Sequence, residues 1–418
     1  MNTSSATVKP KPKYYPKLNI LFLTPRFPYP LIGGDHVKCY YLVKHLASQH
    51  NVTLVTFNHG GPPTQEQVQA IEQLGVRLIA IPLNPIRAAI GCIRTLFTNL
   101  PLEILFYHRP EYKAAVEKLF GEVTFDAAFC FFMRSAEYVR KKHLSKILVA
   151  EDCRLMYQER SYSVSTSLKQ KLVRWWEVRK LRKYEPDVVK DFDRTTLVTQ
   201  QDITAMRRQN PHAQYRLLTN GVNLPDFTAQ LSGNRKQSVL FAGKLDVWAN
   251  ELMIQKIIEE IAPRIHAFLP DVEFEFVGAN PTANLYTLAK SYAHPEKIHI
   301  HANVPSIVDY YHSAGVFLHP HTGGSGIQNK LLEAMACGCP VVTTSTGIQG
   351  IPVEDERDVL IGEHEDELAA HVVKLLKSKS YAVELATNAR LQIEKHHSWE
   401  AINSALDEIL DEVLAGER

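Results

Sequence analysis

Residues 18–57 read LNILFLTPRFPYPLIGGDHVKCYYLVKHLASQHNVTLVTF, and this stretch decides the fold. A short apolar run (LNILFLT) enters a Pro/Gly loop, a helix-length segment follows (HVKCYYLVKHLASQH), and a second apolar, β-branched run closes the unit (NVTLVTF). Strands joined by a crossover of that length pair in parallel. Further runs of the same kind follow at VRLIAIPL, FDAAFCFF, KILVAED and TTLVTQ, each separated by enough chain for a crossover helix. The first half therefore predicts a parallel, doubly wound α/β sheet.

A second series starts near Ser238, with SVLFAG, VEFEFVGA, KIHIHANV, GVFLHPH, CPVVTTS and DVLIGE alternating with helical stretches such as ELMIQKIIEEIAPRIHAFL. Between the series lies YRLLTNGVNLPDFTAQLSGNRKQ, whose Asn-Gly and Pro-Asp pairs mark turns and whose polarity suits a linker. The expected division is a domain over 18–225 and another over 226–397, preceded by a polar, Pro/Lys-rich leader at 1–17 without the apolar core of a signal peptide. In the closing segment 398–418, Ile402, Ala405, Leu406, Ile409 and Leu410 share one helical face, which predicts packing against a domain.

Bulk properties agree with two soluble domains: 418 residues with 45% hydrophobic composition exceed one ordinary core. The formal charge of +2 is too small for a general nucleic-acid binder. Six cysteines without a Cys-x-x-Cys pair point to a reducing, cytoplasmic setting and to no metal, with Cys337 and Cys339 read as small packing residues. No apolar run approaches the roughly 20 residues that span a bilayer.

In an open parallel sheet, ligands collect at the C-terminal strand ends, where helix N-termini offer free N–H groups. Two loops have that placement. Gly33-Gly34 follows the first strand directly, leaving room for an anion, but no G-x-G-x-x-G is present to suggest NAD or FAD. The second, HTGGSGIQNKLLEAMACGCPVV (321–342), combines a strand end, a Gly-rich turn and a helix carrying Glu333. Gly323, Gly324 and Gly326 permit close approach of a phosphorylated sugar, Ser325 can cap a helix expected to start around Gly324, and a carboxylate at Glu333 suits the two hydroxyls of a ribose.

With NGVNLPDF, FAGKLD and the closing HSW helix, these segments make the chain resemble the family-4 retaining glycosyltransferases of the GT-B fold. GGSGIQNKLLEAMACGCPVVTT is most similar to the exopolysaccharide-associated sugar transferases of that family. The resemblance implies two Rossmann-like domains facing a cleft, with the closing helix packed back on the first. It also implies transfer with retention from a UDP- or GDP-linked sugar to a lipid-linked or polysaccharide acceptor, without cofactor or metal. By position Glu333 matches the second carboxylate of the family's E-x7-E motif, Gly324, Ser325, Gly326 and Ile327 face the donor, and Lys244 stands where an arginine usually meets the diphosphate.

Departures from the family pattern mark the questions a structure must answer. Ser325 replaces the first carboxylate of E-x7-E, and Asn250 replaces a second diphosphate lysine, whose charge Lys330 can supply unless it is simply a solvated helix residue. FCFFMRSAEY lacks the family's histidine, which leaves Arg134 there, while Asp152 beside Glu151, or His108 with Arg109, are the other candidates to face the cleft. An ion pair or cap is the alternative for each of those two pairs, and Asp191-Phe-Asp193 looks like a D-x-D metal motif but precedes a strand at the end of a basic helix, where no metal is expected. Without chemistry the same scaffold could be a sugar-nucleotide-binding protein, and with cleft carboxylates an epimerase.

One segment fits neither domain reading. PIRAAIGCIRTLFTNL (85–100) places Ile86, Ala89, Ile90, Ile93, Leu96 and Phe97 on one face beside Arg87 and Arg94. That pattern suits either a core-facing helix or peripheral contact with an anionic membrane through 86–97, with KQKLVRWWEVRKLRK as a companion basic cluster.

Overall fold

The computed structural model describes residues 17–165, 167–231, 234–323 and 326–416. The first sheet holds β1 (Asn19–Thr24), β2 (Asn51–His59), β3 (Arg77–Leu83), β4 (Ala127–Phe131), β5 (Ser145–Glu151), β6 (Arg194–Leu197) and β7 (Tyr215–Leu217) in the order β3-β2-β1-β4-β5-β6-β7. The second holds β8 (Ser238–Ala242), β9 (Glu273–Gly278), β10 (Ile298–Ala302), β11 (Val316–His319), β12 (Val341–Thr343) and β13 (Leu360–Ile361) in the order β10-β9-β8-β11-β12-β13. Every pairing is parallel. This is the two-domain GT-B architecture, each sheet reversing its winding beside its first strand.

Burial explains why the strands were legible. All five residues of β4 and all five of β8 are buried, as expected where helices cover both faces of a parallel sheet. Two apolar clusters sandwich each sheet: Leu21, Leu23 and Val55 pack on one face of the first sheet and Ile20, Phe22 and Leu54 on the other. The alternation follows from the two-residue period of a strand.

Two features differ from the sequence reading. Tyr215–Leu217, placed in the linker, is the seventh strand, with Tyr215 buried and Leu217 exposed. Three residues are too few to show a period, and a short edge strand of that kind is what limits unwanted pairing. The helix expected from Gly324 begins instead at Asn329 and runs to Ala336, with Gln328 as its cap residue. Gly326 has a φ of 80°, a left-handed conformation that cannot continue into a right-handed helix, so the loop persists past it.

The chain crosses between domains twice, and the crossings are bonded to each other. Val222 N–H donates to the His397 carbonyl at 2.8 Å, and His397 Nδ1 lies 2.8 Å from the Asn220 carbonyl. Burial pushes the His397 imidazole down to about 4, so the ring is neutral at physiological pH and Nδ1 carries the proton in that bond. Beyond this point the Trp399–Leu414 helix returns to the first domain, where Trp399, Ile402, Leu406, Ile409, Leu410 and Val413 join the cluster containing Ile20 and Phe22. Trp399 stacks on Tyr41 with ring centroids 4.4 Å apart, Ser398 caps the helix by accepting from Ala401 N–H at 3.2 Å, and Glu412 binds Arg194 and Arg216.

Candidate functional site

The C-terminal edges of the two sheets meet. Gly34 opens the Gly34–Gln49 helix after β1, and a Cβ built on it would lie 2.7 Å from Asn329 Nδ2, the first residue of the helix after β11. Gly350 lies against Thr199, at the start of the helix after β6, and Gln349 donates to Gln201 on the same helix. Asn220 Nδ2 donates to Asn329 Oδ1 at 2.9 Å, so the linker is fastened to the same helix start. Gly33 sits beside Gly34 with φ 106°, a conformation that favours glycine.

On the second domain the floor of the site is glycine backbone. A Cβ on Gly278 would fall 1.6 Å from the Gly243 carbonyl oxygen, and one on Gly243 would meet Asn250 Nδ2 at 3.2 Å and Lys330 Nζ at 3.3 Å. Lys330 Nζ donates to Asn250 Oδ1 at 2.5 Å and sits 5.1 Å from the Phe241 ring centre. Asn250 in turn donates from Nδ2 to the Lys244 carbonyl at 2.7 Å. Three of the predicted positions are thus one constellation in which Asn250 is a bracket for the Lys330 ammonium, while the Lys244 side chain is exposed. The alternative of Lys330 as a solvated helix residue is excluded by these contacts.

Electrostatics follow from that packing. Protein surrounds the Lys330 ammonium and lowers it to about 8, offset in part by Glu333. Desolvation pushes the Glu333 carboxyl up to about 7, against the Tyr311 hydroxyl, which donates to Oε2 at 3.2 Å, and against Lys330. Desolvation therefore disfavours both charged forms, and a polar ligand would favour them. Among the described residues, the fully buried His319 beside them has a partner on neither ring nitrogen, and His321 Nε2 likewise has none. Burial and Lys330 hold both imidazoles below their usual range, His321 at about 4, so they are neutral.

Gly326 lines the loop with nothing within 4 Å of a built Cβ, and Ile327 is buried below it. Gly324 and Ser325 lie outside the described residues.

The candidates of the first domain divide. Arg134 and Arg154 both bind the Glu103 carboxylate, at 3.2 and 3.0 Å, and Arg154 also pairs with Asp152 at 3.2 Å, so Arg134 and Asp152 belong to one network at the ends of β4 and β5. Where a histidine is absent, Phe132 adopts a φ of 61°, and the Arg134 guanidinium lies 5.0 Å from its ring centre. Glu151 is instead committed to the buried Lys38 at 2.7 Å. His108 and Arg109 do not face this network: His108 Nδ1 lies 3.2 Å from Arg94 Nη2, and Arg109 Nη1 donates to the Arg87 carbonyl at 3.4 Å. The two join the Leu102–Tyr107 and Pro110–Glu122 helices and are turned onto the 85–100 segment, so they are not cleft residues. Asp191 pairs with Arg140 at 2.7 Å and Asp193 accepts from Lys146 N–H at 2.8 Å, so both carboxylates of D-x-D are engaged within the first domain. Among the described residues no group of three acidic, histidine or cysteine side chains could hold a metal.

Asn329, Asn220, Tyr311, His319, His321 and Glu103 were missed as site residues. Asn329 had a signal, since it precedes Lys330 in the quoted QNK, but the contacts of Asn220 and Glu103 join positions 109 and 51 residues apart.

Comparison with known proteins bears on the same surfaces. Residues 236–378 match the family model described as glycosyl transferases group 1, which covers the β8 glycine turn, Asn250, Lys330 and Glu333. A curated relative, an uncharacterized 44.6 kDa protein in the cps region of Klebsiella pneumoniae, is 20% identical over 332 residues, covering 76% of this chain and 82% of that protein. Among solved structures, a sucrose-phosphate synthase from Thermosynechococcus elongatus superposes with a TM-score of 0.71 at 18% identity, covering 96% of this chain and all of that one (100%). Anabaena HepE in complex with UDP and glucose gives 0.66 at 15% identity over 94% and 99% of the two chains. WaaG, a glycosyltransferase involved in lipopolysaccharide biosynthesis, gives 0.65 at 18% identity over 93% and 99%. These structures share the fold, and the family model places a glycosyltransferase group 1 match on the second domain.

Proposed function

We propose that the chain is a glycosyltransferase that moves a hexose, with retention, from a UDP- or GDP-linked donor to a lipid-linked or polysaccharide acceptor. The observation that carries this reading is the Lys330 ammonium held by Asn250 over the Gly243–Gly278 backbone, one helical turn from the Glu333 carboxylate. Glycine backbone gives a diphosphate close approach, Lys330 and the exposed Lys244 supply cations for the leaving group, and Glu333 is suited to accept from ribose hydroxyls. No step in this account requires a metal or cofactor.

The first domain would present the acceptor. Arg134 and Asp152 act there as positioning groups, since both are already engaged with Glu103 and Arg154. The weak relative from a cps region supports a role in exopolysaccharide or cell-envelope glycan synthesis. Peripheral association with the inner face of the cytoplasmic membrane belongs to the same proposal. Among the described residues no helix is long and apolar enough to cross a membrane.

A panel of nucleotide sugars tests the reading, scored by thermal stabilisation and then by nucleotide diphosphate release. The matching donor should stabilise the protein by about 3 to 4 kcal/mol at 100 to 1,000 times its dissociation constant. Release should rise with membrane extract. Stabilisation without release in any condition would instead identify a sugar-nucleotide-binding protein, and no stabilisation by any donor would end the proposal.

A further inference from the structure

We infer that the exposed faces of residues 86–97 and of the Leu168–Val188 helix, with Tyr162 of the preceding helix, form one docking surface for an anionic lipid bilayer. The first face is the apolar stripe noted in the sequence, and the structure removes its core-facing reading. Ile86, Ile90, Ile93, Leu96 and Phe97 are 59–86% exposed, and Ala88 is the buried residue of the Pro85–Gly91 helix. The second face was hidden in the basic run. On the Leu168–Val188 helix, Leu168, Leu172 and Trp175 follow one stripe at i, i+4 and i+7, and they are 85, 66 and 45% exposed. Lys169 and Lys171 flank that stripe, and Arg179, Arg182 and Lys183 continue it.

The two faces share a seam. Trp176 Nε1 donates to Thr95 Oγ1 at 3.0 Å, Lys180 Nζ donates to the Thr98 carbonyl, and Glu177 accepts from the N–H groups of Leu102 and Glu103 at 2.8 and 3.0 Å. The helix is thus anchored by its inner face to the chain on both sides of Phe97, leaving Leu172 and Trp175 outward. Beside Trp175 a groove lined by Tyr162, Arg179 and Arg182 opens to solvent, with two aromatic rings and guanidinium groups at its mouth.

Charge selects the occupant. Residues 84–102 contain Arg87 and Arg94 and no carboxylate, and residues 159–184 contain Arg160, Lys169, Lys171, Arg174, Arg179, Lys180, Arg182 and Lys183 against Glu159, which pairs with Arg182 at 2.8 Å, and Glu177. Glu177 is buried and its carboxyl is pushed up to about 7 by desolvation. A second copy of this chain would bring these cations against their own kind, whereas a leaflet of anionic lipid accepts apolar side chains and neutralises a cationic rim together. Glu103, which ends the seam, also binds Arg134 and Arg154 at the acceptor end of the cleft. A docked bilayer would therefore border the place where a lipid-borne acceptor is needed, and for that purpose alone the inference rests on the glycosyltransferase reading.

Flotation of the full chain on phosphatidylglycerol/phosphatidylcholine vesicles, against phosphatidylcholine alone, tests the surface without turnover. Wild type should float with the anionic vesicles and not with the neutral ones. Phe97→Asp and Leu172→Asp should each lower partitioning roughly tenfold, and Lys169→Glu with Lys171→Glu should do the same while remaining folded by circular dichroism and keeping donor-induced stabilisation. Three results overturn the inference: no flotation of wild type on anionic vesicles, equal flotation of the folded variants, or, in place of flotation, a wild-type dimer in light scattering that these variants dissociate. Absence of stabilisation of wild type by every donor would speak against the proposed reaction and leave the docking result standing.

Discussion

Asn220 in the interdomain linker and Asn329 at the start of the site helix are joined by a hydrogen bond of 2.9 Å, and Gly34 of the first domain closes on the same amide. Three parts of the chain that belong to different units therefore converge on one side chain.

Gly34→Ala should exploit that convergence. Its Cβ would displace the Asn329 amide, a flexible group, so the fold should lose no more than about 1 kcal/mol. Alignment of the two domains around the donor should suffer more, with kcat reduced roughly tenfold or more while donor Kd changes little. Equal losses in both constants, measured by steady-state kinetics and calorimetry, would show that the contact serves binding and not alignment.

Lys330 and Lys244 should separate sharply. Lys330 is fixed by Asn250, whereas the Lys244 side chain is in solvent. Lys330→Ala should reduce turnover about a hundredfold, and Lys244→Ala by less than tenfold, because an exposed cation is screened and must be ordered. The reverse ranking in a nucleotide-release assay would move the diphosphate site towards Lys244.

Glu333 should leave a signature in stability against pH. Its folded value of about 7 lies above the ordinary glutamate value of 4.5, so between those limits the native state holds a proton that the unfolded state has released. Stability contributed by that protonated form is present at low pH and is lost as pH rises towards 7. Glu333→Gln should therefore match wild type near pH 4.5 and melt about 2–4 °C higher near pH 7.5. Donor-induced stabilisation should be weaker in this variant, and a melting difference independent of pH would remove the assignment.

Trp399 fastens the return crossing. Its ring stacks on Tyr41, and a Cβ on Gly221 would approach it at 2.8 Å. Trp399→Ala should cost about 3–5 kcal/mol in urea unfolding, the range for large aromatic truncations in a core. Gly221→Ala should also destabilise, since the indole is packed from the opposite side and has no room to yield.

The parallel strands were legible because both faces of β4 and β8 are buried, which writes them as unbroken apolar runs. β7 was not, because Tyr215–Leu217 is too short to carry a period. At the site, Glu333 was visible on the helix after the Gly-rich turn, and Lys330 as the cation able to stand in where Asn250 replaces a lysine. The role of Asn250 was not, since an asparagine that orients a lysine 80 residues away leaves no local mark. The helix start was misplaced for a related reason: glycine signals a turn in sequence, but only the φ of Gly326 shows that the turn has not ended. His108 and Arg109 illustrate the opposite error, two polar residues with cleft-like chemistry that sit between two helices and face the 85–100 segment instead.

The helix that returns from His397 to the first domain also sets an order of events during synthesis. Trp399, Leu406 and Val413 complete the cluster around Ile20 and Phe22, yet they leave the ribosome after every strand of both sheets. The domain made first is thus finished last. Its exposed apolar face must wait through translation of the whole second domain, which at about 5–20 residues per second takes on the order of ten to forty seconds. A nascent chain stalled before residue 399 should hold a folded second domain and an unsealed first one, the state in which a chaperone would find its binding surface.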